Sequence, residues 1–239
     1  MLAKARIVLV HGALGSAAQM EPISRALEQL GVVDNVQLLG HGTSSGRKED
    51  FSMPAFVQQL HDHVQRARQS GWVAPLAFGY SMGGYAALAL EVQHPGIFSG
   101  IVTLGTKFAW TPALASRESS RLNAKIIAEK IPKFAKILAE RHAGAGGWET
   151  VLERTAALLV QLGDAPLLTR ELLGRVQAAV CIAVGEKDDS VSGDEAREYA
   201  SFVPGARTVV LPDVPHPIER VPIDTIVELV RSALLAART

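Results

Sequence analysis

The stretch Gly79-Tyr80-Ser81-Met82-Gly83-Gly84 (GYSMGG) sets one hydroxyl among three glycines, directly after the apolar run Ala74–Tyr80 (APLAFGY). A chain that only turns a corner has no need for so many residues without a side chain. Glycines two before and two after Ser81 let the backbone reverse sharply without a Cβ clash. The apolar run before the serine predicts a strand, and Met82–His94 after it predicts a helix. A serine on such a strand-to-helix turn is held forward of the sheet, with the next backbone N–H aimed at whatever the hydroxyl attacks.

Working outward, further strands are expected at Ala5–Val10 (ARIVLV), Val36–Leu39 (VQLL), Gly100–Leu104 (GIVTL), Ala178–Val184 (AAVCIAV) and Ala206–Leu211 (ARTVVL). Most lack polar alternation, as strands do when helices cover both faces of a parallel sheet. Helix-length segments lie between them, at Ser16–Gly31, Ser52–Ser70 and Gly193–Ser201, with a last one over about Pro222–Ala237. Alternating strands and helices predict an α/β fold with an open, mostly parallel sheet of about six strands.

One connection breaks this rhythm. About 70 residues separate Leu104 from Ala178, far more than an ordinary crossover needs. The segment is rich in helix formers with apolar residues at helical spacing, interrupted at Pro132 and at the AGAGG stretch. It predicts two or three helices forming a lid over one edge of the sheet. The expected organisation is a core of 1–106 and 176–239 with a helical lid inserted at 107–175.

The totals narrow the function classes. The 239 residues are 48% hydrophobic, enough for a sizeable core, and 24 basic residues balance 24 acidic ones. A balanced charge offers no footprint for nucleic acid. The N-terminal MLAKARIVLVHG reads as a strand and not a signal peptide. No segment approaches the roughly 20 apolar residues a membrane span requires, so a soluble, cytoplasmic protein is expected. Cys181 is the only cysteine and reads as a buried strand residue.

A serine hydroxyl is a poor nucleophile until a base removes its proton, so Ser81 calls for a histidine and a group that orients it. Of seven histidines, His61 and His63 sit two apart on one helix, point to different faces and read as surface. His94 suits a helix cap. His142 lies in the lid without a polar partner at a recognisable spacing, and His11 reads as structural. His216, in the loop LPDVPHPIE after the last strand, falls where α/β active sites gather. The orienting carboxylate is expected after the preceding strand, where AVGEKDDSV supplies Asp188 and Asp189, with Glu186 nearer the strand end. An oxyanion on the attacked carbonyl needs two converging N–H donors. The Met82 amide is one, and VLVHGALGS offers the other at Ala13, with Leu14 as the alternative.

In this order the motifs resemble the α/β-hydrolase fold superfamily along nearly the whole chain. HGALGS is similar to its oxyanion loop, GHGTSS to its Gly-His-Gly-x-Ser loop, GYSMGG to its nucleophile elbow, GEKDDSV to its acid-bearing loop and PHPIE to its histidine end. The resemblance implies Asp188 as the acid, since the family's acid is the fourth residue of the G-x-x-D segment. It also implies an acyl-enzyme route on a small or medium ester, thioester or related acyl substrate, with no metal or organic cofactor. Three departures stand out: Gln37 where an acidic residue is usual, Pro215 in place of a glycine, and Glu219 one position early. The family's leading antiparallel hairpin is not expected here, because the first strand read is already the one before the HGALGS loop, so six parallel strands are expected. Leu14, Phe108 and Trp110 are candidates for an acyl pocket. A C–C bond hydrolase or lyase with the same triad, and a slow-turnover binding or receptor protein on the same fold, remain alternatives, and the oligomeric state stays open.

Overall fold

The computed structural model describes residues 5–46 and 50–237. Six strands form one sheet: β1 (Ala5–Val10), β2 (Gly31–Val36), β3 (Leu76–Tyr80), β4 (Gly100–Leu104), β5 (Ala179–Lys187) and β6 (Arg207–Pro215). Their order is β2-β1-β3-β4-β5-β6 and every pairing is parallel. The direction of winding switches between β1 and β3, which opens a crevice at their carboxyl ends.

Five helices flank the sheet: α1 (Ala17–Leu27), α2 (Met53–Gln69), α3 (Met82–Gln93), α9 (Gly193–Ala200) and α10 (Ile223–Ala236). Ser16, Ser52 and Ser192 cap α1, α2 and α9 by accepting the N–H three residues on, which satisfies one orphan donor each. Strand alternation decides which face each side chain enters. Ile7 and Leu9 pack with Met20, Ile23 and Leu27 of α1 and with Ile226 and Val230 of α10. Val8 and Val10 enter the core on the other side, which also holds Phe56 and Leu60 of α2, residues of α3 and, against β5, Ala196 and Ala200 of α9. The central strands β3 and β4 are buried throughout, which explains their unbroken apolar sequence.

Two expectations need correction. The second strand lies at Gly31–Val36 and not Val36–Leu39. This edge strand is only partly covered, and it carries Asp34, whose carboxylate receives the Arg6 guanidinium. Its sequence therefore looks polar. Pairing with β1 stops at Val10↔Val36, after which Leu38 N–H donates to His11 Nε2 and Leu39 N–H to Gln59 Oε1. The apolar residues Leu38 and Leu39 thus follow the strand, with side chains taking over from the ladder.

The 104–178 segment holds five helices and not two or three: α4 (Pro112–Ser120), α5 (Ala124–Lys130), α6 (Pro132–Arg141), α7 (Trp148–Asp164) and α8 (Arg170–Leu173). Thr111, Asn123 and Thr169 cap α4, α5 and α8, and Pro132 opens α6 at a position where its missing N–H costs nothing. Among the described residues no helix is long and apolar enough to cross a membrane.

A buried carboxylate ties the base of the sheet. Glu91, fully buried at the end of α3, accepts from Gly96, Gln177 and Ala178 N–H through Oε1 and from Phe98 N–H through Oε2. It thereby joins α3 to the entries of β4 and β5. Removing it leaves buried donors unpaired, at about 1–3 kcal/mol each. Glu91→Ala is expected to lower the urea midpoint by the equivalent of roughly 3 kcal/mol or more with the slope unchanged; an unaltered midpoint would contradict this role.

Candidate active site

The carboxyl ends of β1, β3, β4, β5 and β6 converge on one cavity of about 420 Å³, lined by Ala13, Leu14, Ser81, Met82 and His216 among others. Ser81 stands at the sharpest bend, with φ 50° and ψ −116°. Such a backbone costs of order 1–3 kcal/mol for a residue with a Cβ and persists only where its surroundings hold it. Here the holding is by hydrogen bonds. Ser81 N–H donates to Leu104 O at 2.8 Å, and Ser81 O accepts from Gly84 N–H at 3.0 Å and Thr106 Oγ1 at 2.9 Å. The hydroxyl makes no cap bond to α3. A plain helix-capping role for this serine is therefore not what the structure contains.

His216 follows β6 directly, and its Nδ1 lies 2.8 Å from Asp188 Oδ2. The Asp188 side chain is almost fully buried, and its other oxygen accepts the Ser190 and Val191 N–H groups at 2.8 and 2.9 Å. Among the described residues Asp189 makes a 3.4 Å contact with the Ser190 hydroxyl and no other hydrogen bond, and Glu186 accepts the Asp213 N–H instead. Gly105 (φ +61°) lies beneath the pair: a Cβ there would come within 3.0 Å of Asp188 Oδ2 and 3.2 Å of His216 Nδ1.

The loop after β1 runs beside the serine. A Cβ on Gly12 would meet the Tyr80 ring at 2.9 Å and Ser81 Cβ at 3.1 Å, so glycine is needed for this approach. His11 is fully buried. Its Nε2 accepts Leu38 N–H, which puts the ring proton on Nδ1, where it donates to Gly12 O at 2.8 Å. Gly15 N–H reaches the same carbonyl at 3.1 Å. These bonds anchor the peptide whose other side is the Ala13 N–H. Among the described residues neither Ala13 nor Met82 donates its amide to a protein acceptor, and both residues line the cavity.

Several participants were not legible beforehand. Tyr80 donates its hydroxyl to His216 O at 3.0 Å, and burial, followed by the nearby Glu219 and Asp188 charges, raises its pKa above the ordinary value. His142, expected to lack a partner, accepts Gly42 N–H on Nδ1 at 2.9 Å and donates from Nε2 to Leu14 O at 3.0 Å. Those partners are about 100 and 128 residues away along the chain, so no spacing rule could find them. Gln37, the departure from the family pattern, accepts Ala17 N–H and approaches His11 Nε2. Of the proposed pocket aromatics, Trp110 and the neighbouring Leu14 line the cavity. Phe108 does not; it is buried and stacks on Tyr199 with ring centroids 5.2 Å apart.

The remaining histidines take ordinary places: His94 caps α3 and stacks on His61, while His63 faces Asp34. Cys181 is buried, and burial raises its thiol pKa.

A profile of the family described as serine aminopeptidase, S33, matches residues 2–157. The chain belongs to this α/β-hydrolase family. Among curated relatives, the monoglyceride lipase of Homo sapiens is 29% identical over 136 residues, covering 54% of this chain and 41% of the human protein. The thermostable monoacylglycerol lipase of Bacillus sp. (strain H-257) is 28% identical over 193 residues, covering 77% of this chain and 71% of its own length. The chain thus matches well under half of the human relative but most of the bacterial one. A thermophilic esterase from Thermogutta terrifontis superposes with a TM-score of 0.75 at 18% identity over 99% of this chain and 92% of that one, a likeness of fold.

Three buried histidines support the rim. Burial lowers the pKa of His11 to about 4, places that of His41 well below the ordinary value with His11 adding to the effect, and lowers that of His142, where Arg141 contributes. In the unfolded chain these groups titrate near 6.5. For His11 the stability it carries is therefore complete above about pH 6.5 and is lost as pH falls toward about 4, and His41 and His142 act in the same direction. His11 alone contributes on the order of 3 kcal/mol across that window. Urea unfolding is expected to give a markedly lower free energy at pH 5 than at pH 7.5; equal values would refute neutral burial of these rings.

Proposed function

We propose that this protein is a serine hydrolase that cleaves a carboxylic ester of a small alcohol through an acyl-enzyme intermediate. The observation that carries this reading is the His216–Asp188 bond facing the same cavity as a strained, uncapped Ser81. Ser81 Oγ attacks the ester carbonyl while His216 takes its proton. Asp188 fixes the imidazole tautomer and stabilises the charged ring. The Ala13 and Met82 amides receive the oxyanion, each worth about 3 kcal/mol of barrier. His216 returns the proton to the leaving alcohol, and a water molecule activated by the same imidazole releases the acid.

The cavity lining supports an apolar acyl group. Met53, Trp110, Leu158, Leu159 and Leu162 line it, alongside polar residues such as Gln19, Arg141 and Glu219. The α4–α8 insertion (within 107–175) supplies much of the apolar lining and acts as the lid, with the remaining residues forming the core. The relatives named for monoglycerides agree with a substrate that is apolar at one end and hydroxylated at the other.

Hydrolysis of p-nitrophenyl butyrate is expected to fall by at least about 10⁴-fold in Ser81→Ala, and a fluorophosphonate probe is expected to label Ser81 alone. A rate unchanged by the substitution would leave a binding protein as the better reading. Asp188→Asn is expected to reduce turnover by about 10⁴-fold because the tautomer is then wrong, with Asp189→Asn close to wild type. If Asp189→Asn is the damaging change, the acid is misassigned. Monoacyl esters of graded chain length measure how much of the apolar lining the acyl group uses.

A further inference from the structure

The residue after Ala13 is itself strained. Leu14 has φ +56°, a left-handed conformation that costs a residue with a Cβ roughly 1–2 kcal/mol. Inside the loop, the Gly15 N–H to Gly12 O bond closes a turn around it. The end of α6 adds a second hold on its carbonyl. Arg141 Nη1 donates to Leu14 O at 2.9 Å and His142 Nε2 to the same oxygen at 3.0 Å. His142 is a donor at this position because its Nδ1 is occupied by the Gly42 N–H. The second arm of Arg141, Nη2, reaches Glu219 Oε1 at 3.1 Å, and Gln19 Nε2 donates to that same oxygen at 2.7 Å. Glu219 lies three residues beyond His216, and Gln19 lies in α1, just after the oxyanion loop. The Arg141 side chain is largely buried, so its charge-assisted bonds are less screened than surface ones.

We infer that Arg141 and His142 are positioning residues through which the helical insertion sets the oxyanion loop. The deduction rests on the hydrolase reading given above. Two sets of contacts grip the loop. On the sheet side, His11 and Gly15 anchor Gly12 O and thereby one face of the Gly12–Ala13 peptide. On the insertion side, Arg141 and His142 pin Leu14 O. The Ala13 amide lies between these anchors, so its direction is overdetermined only while α6 is seated. A planar guanidinium suits this task because it meets two acceptors on different loops at once, which a lysine ammonium on its flexible stem does less well. Displacing α6 would release Leu14 from its left-handed conformation and turn one oxyanion donor away, leaving Ser81, His216 and Asp188 untouched.

The test is steady-state kinetics on a monoacyl ester together with inhibition by an alkyl trifluoromethyl ketone, whose tetrahedral adduct with the serine carries the oxyanion. Arg141→Met is expected to lower kcat by about 10- to 100-fold with KM within about threefold of wild type, and to weaken the ketone by the same factor as kcat/KM. Arg141→Lys is expected to recover part of this loss, and His142→Gln to show a loss of the same type. Lys136→Gln, on the exposed face of α6, is expected to match wild type. Unchanged kcat and ketone affinity in folded Arg141→Met, or a loss confined to KM, would overturn the assignment. If Arg141→Met does not fold, Arg141→Lys and His142→Gln provide the same two readouts. Turnover insensitive to Ser81→Ala refutes the hydrolase reading itself, whereas serine-dependent turnover with intact kcat in the Arg141 variants refutes only the clamp.

Discussion

Everything at the rim depends on how closely the backbones of β1, β3 and α3 approach one another. A Cβ on Gly79 would lie 2.4 Å from Gly84 Cα, one on Gly83 would lie 2.4 Å from Val10 O, and one on Gly84 would lie 2.2 Å from Thr106 Oγ1. Real side chains do not tolerate such distances without moving main chain. The absence of side chains at these positions lets α3 begin against the end of β1, which bends Ser81 into its strained conformation. The strain then persists because Leu104 O and Thr106 Oγ1 hold both sides of the serine peptide. Loosening this contact would move the serine, the Met82 amide and the neighbouring loop after β1 together.

A second layer of order comes from buried polar groups that use all their partners. His11 and His142 each accept one backbone N–H and donate to one backbone carbonyl, so each ring has a single tautomer that satisfies it. Glu91 does the same at the opposite end of the sheet with four amides. Neutral histidines give directional bonds without the cost of burying a charge. The His216–Asp188 pair is built differently: Asp188 is shielded and braced by two amides, while His216 remains partly open.

The helical insertion joins this frame at two places. Its start is tied to α9, where Glu195 accepts the Phe108 and Ala109 N–H groups and pairs with Lys107. Its middle is tied to the loop after β1 through Arg141 and His142. Insertion and loop both contribute to the cavity lining, so they share a support.

The local pattern of the chain was enough to establish the alternation of strands and helices, the elbow at Ser81, and the candidates Ala13, His216 and the Asp188/Asp189 pair. Each of these rests on short-range physics: glycine at a tight turn, unbroken apolar runs in doubly covered strands, polar loops at strand ends. Edge strand β2 escaped that logic because an exposed strand need not be apolar, and Leu38 is buried without being in the sheet. Only the tertiary structure decided which aspartate meets His216, because that depends on how the loops after β5 and β6 pack over Gly105. Only it brought His142 and Arg141 to Leu14, or Tyr80 to the His216 carbonyl. Those partners are separated by about 130 residues of chain, and contacts across such distances are set by the packing of whole elements, on which the identity of neighbouring residues is silent.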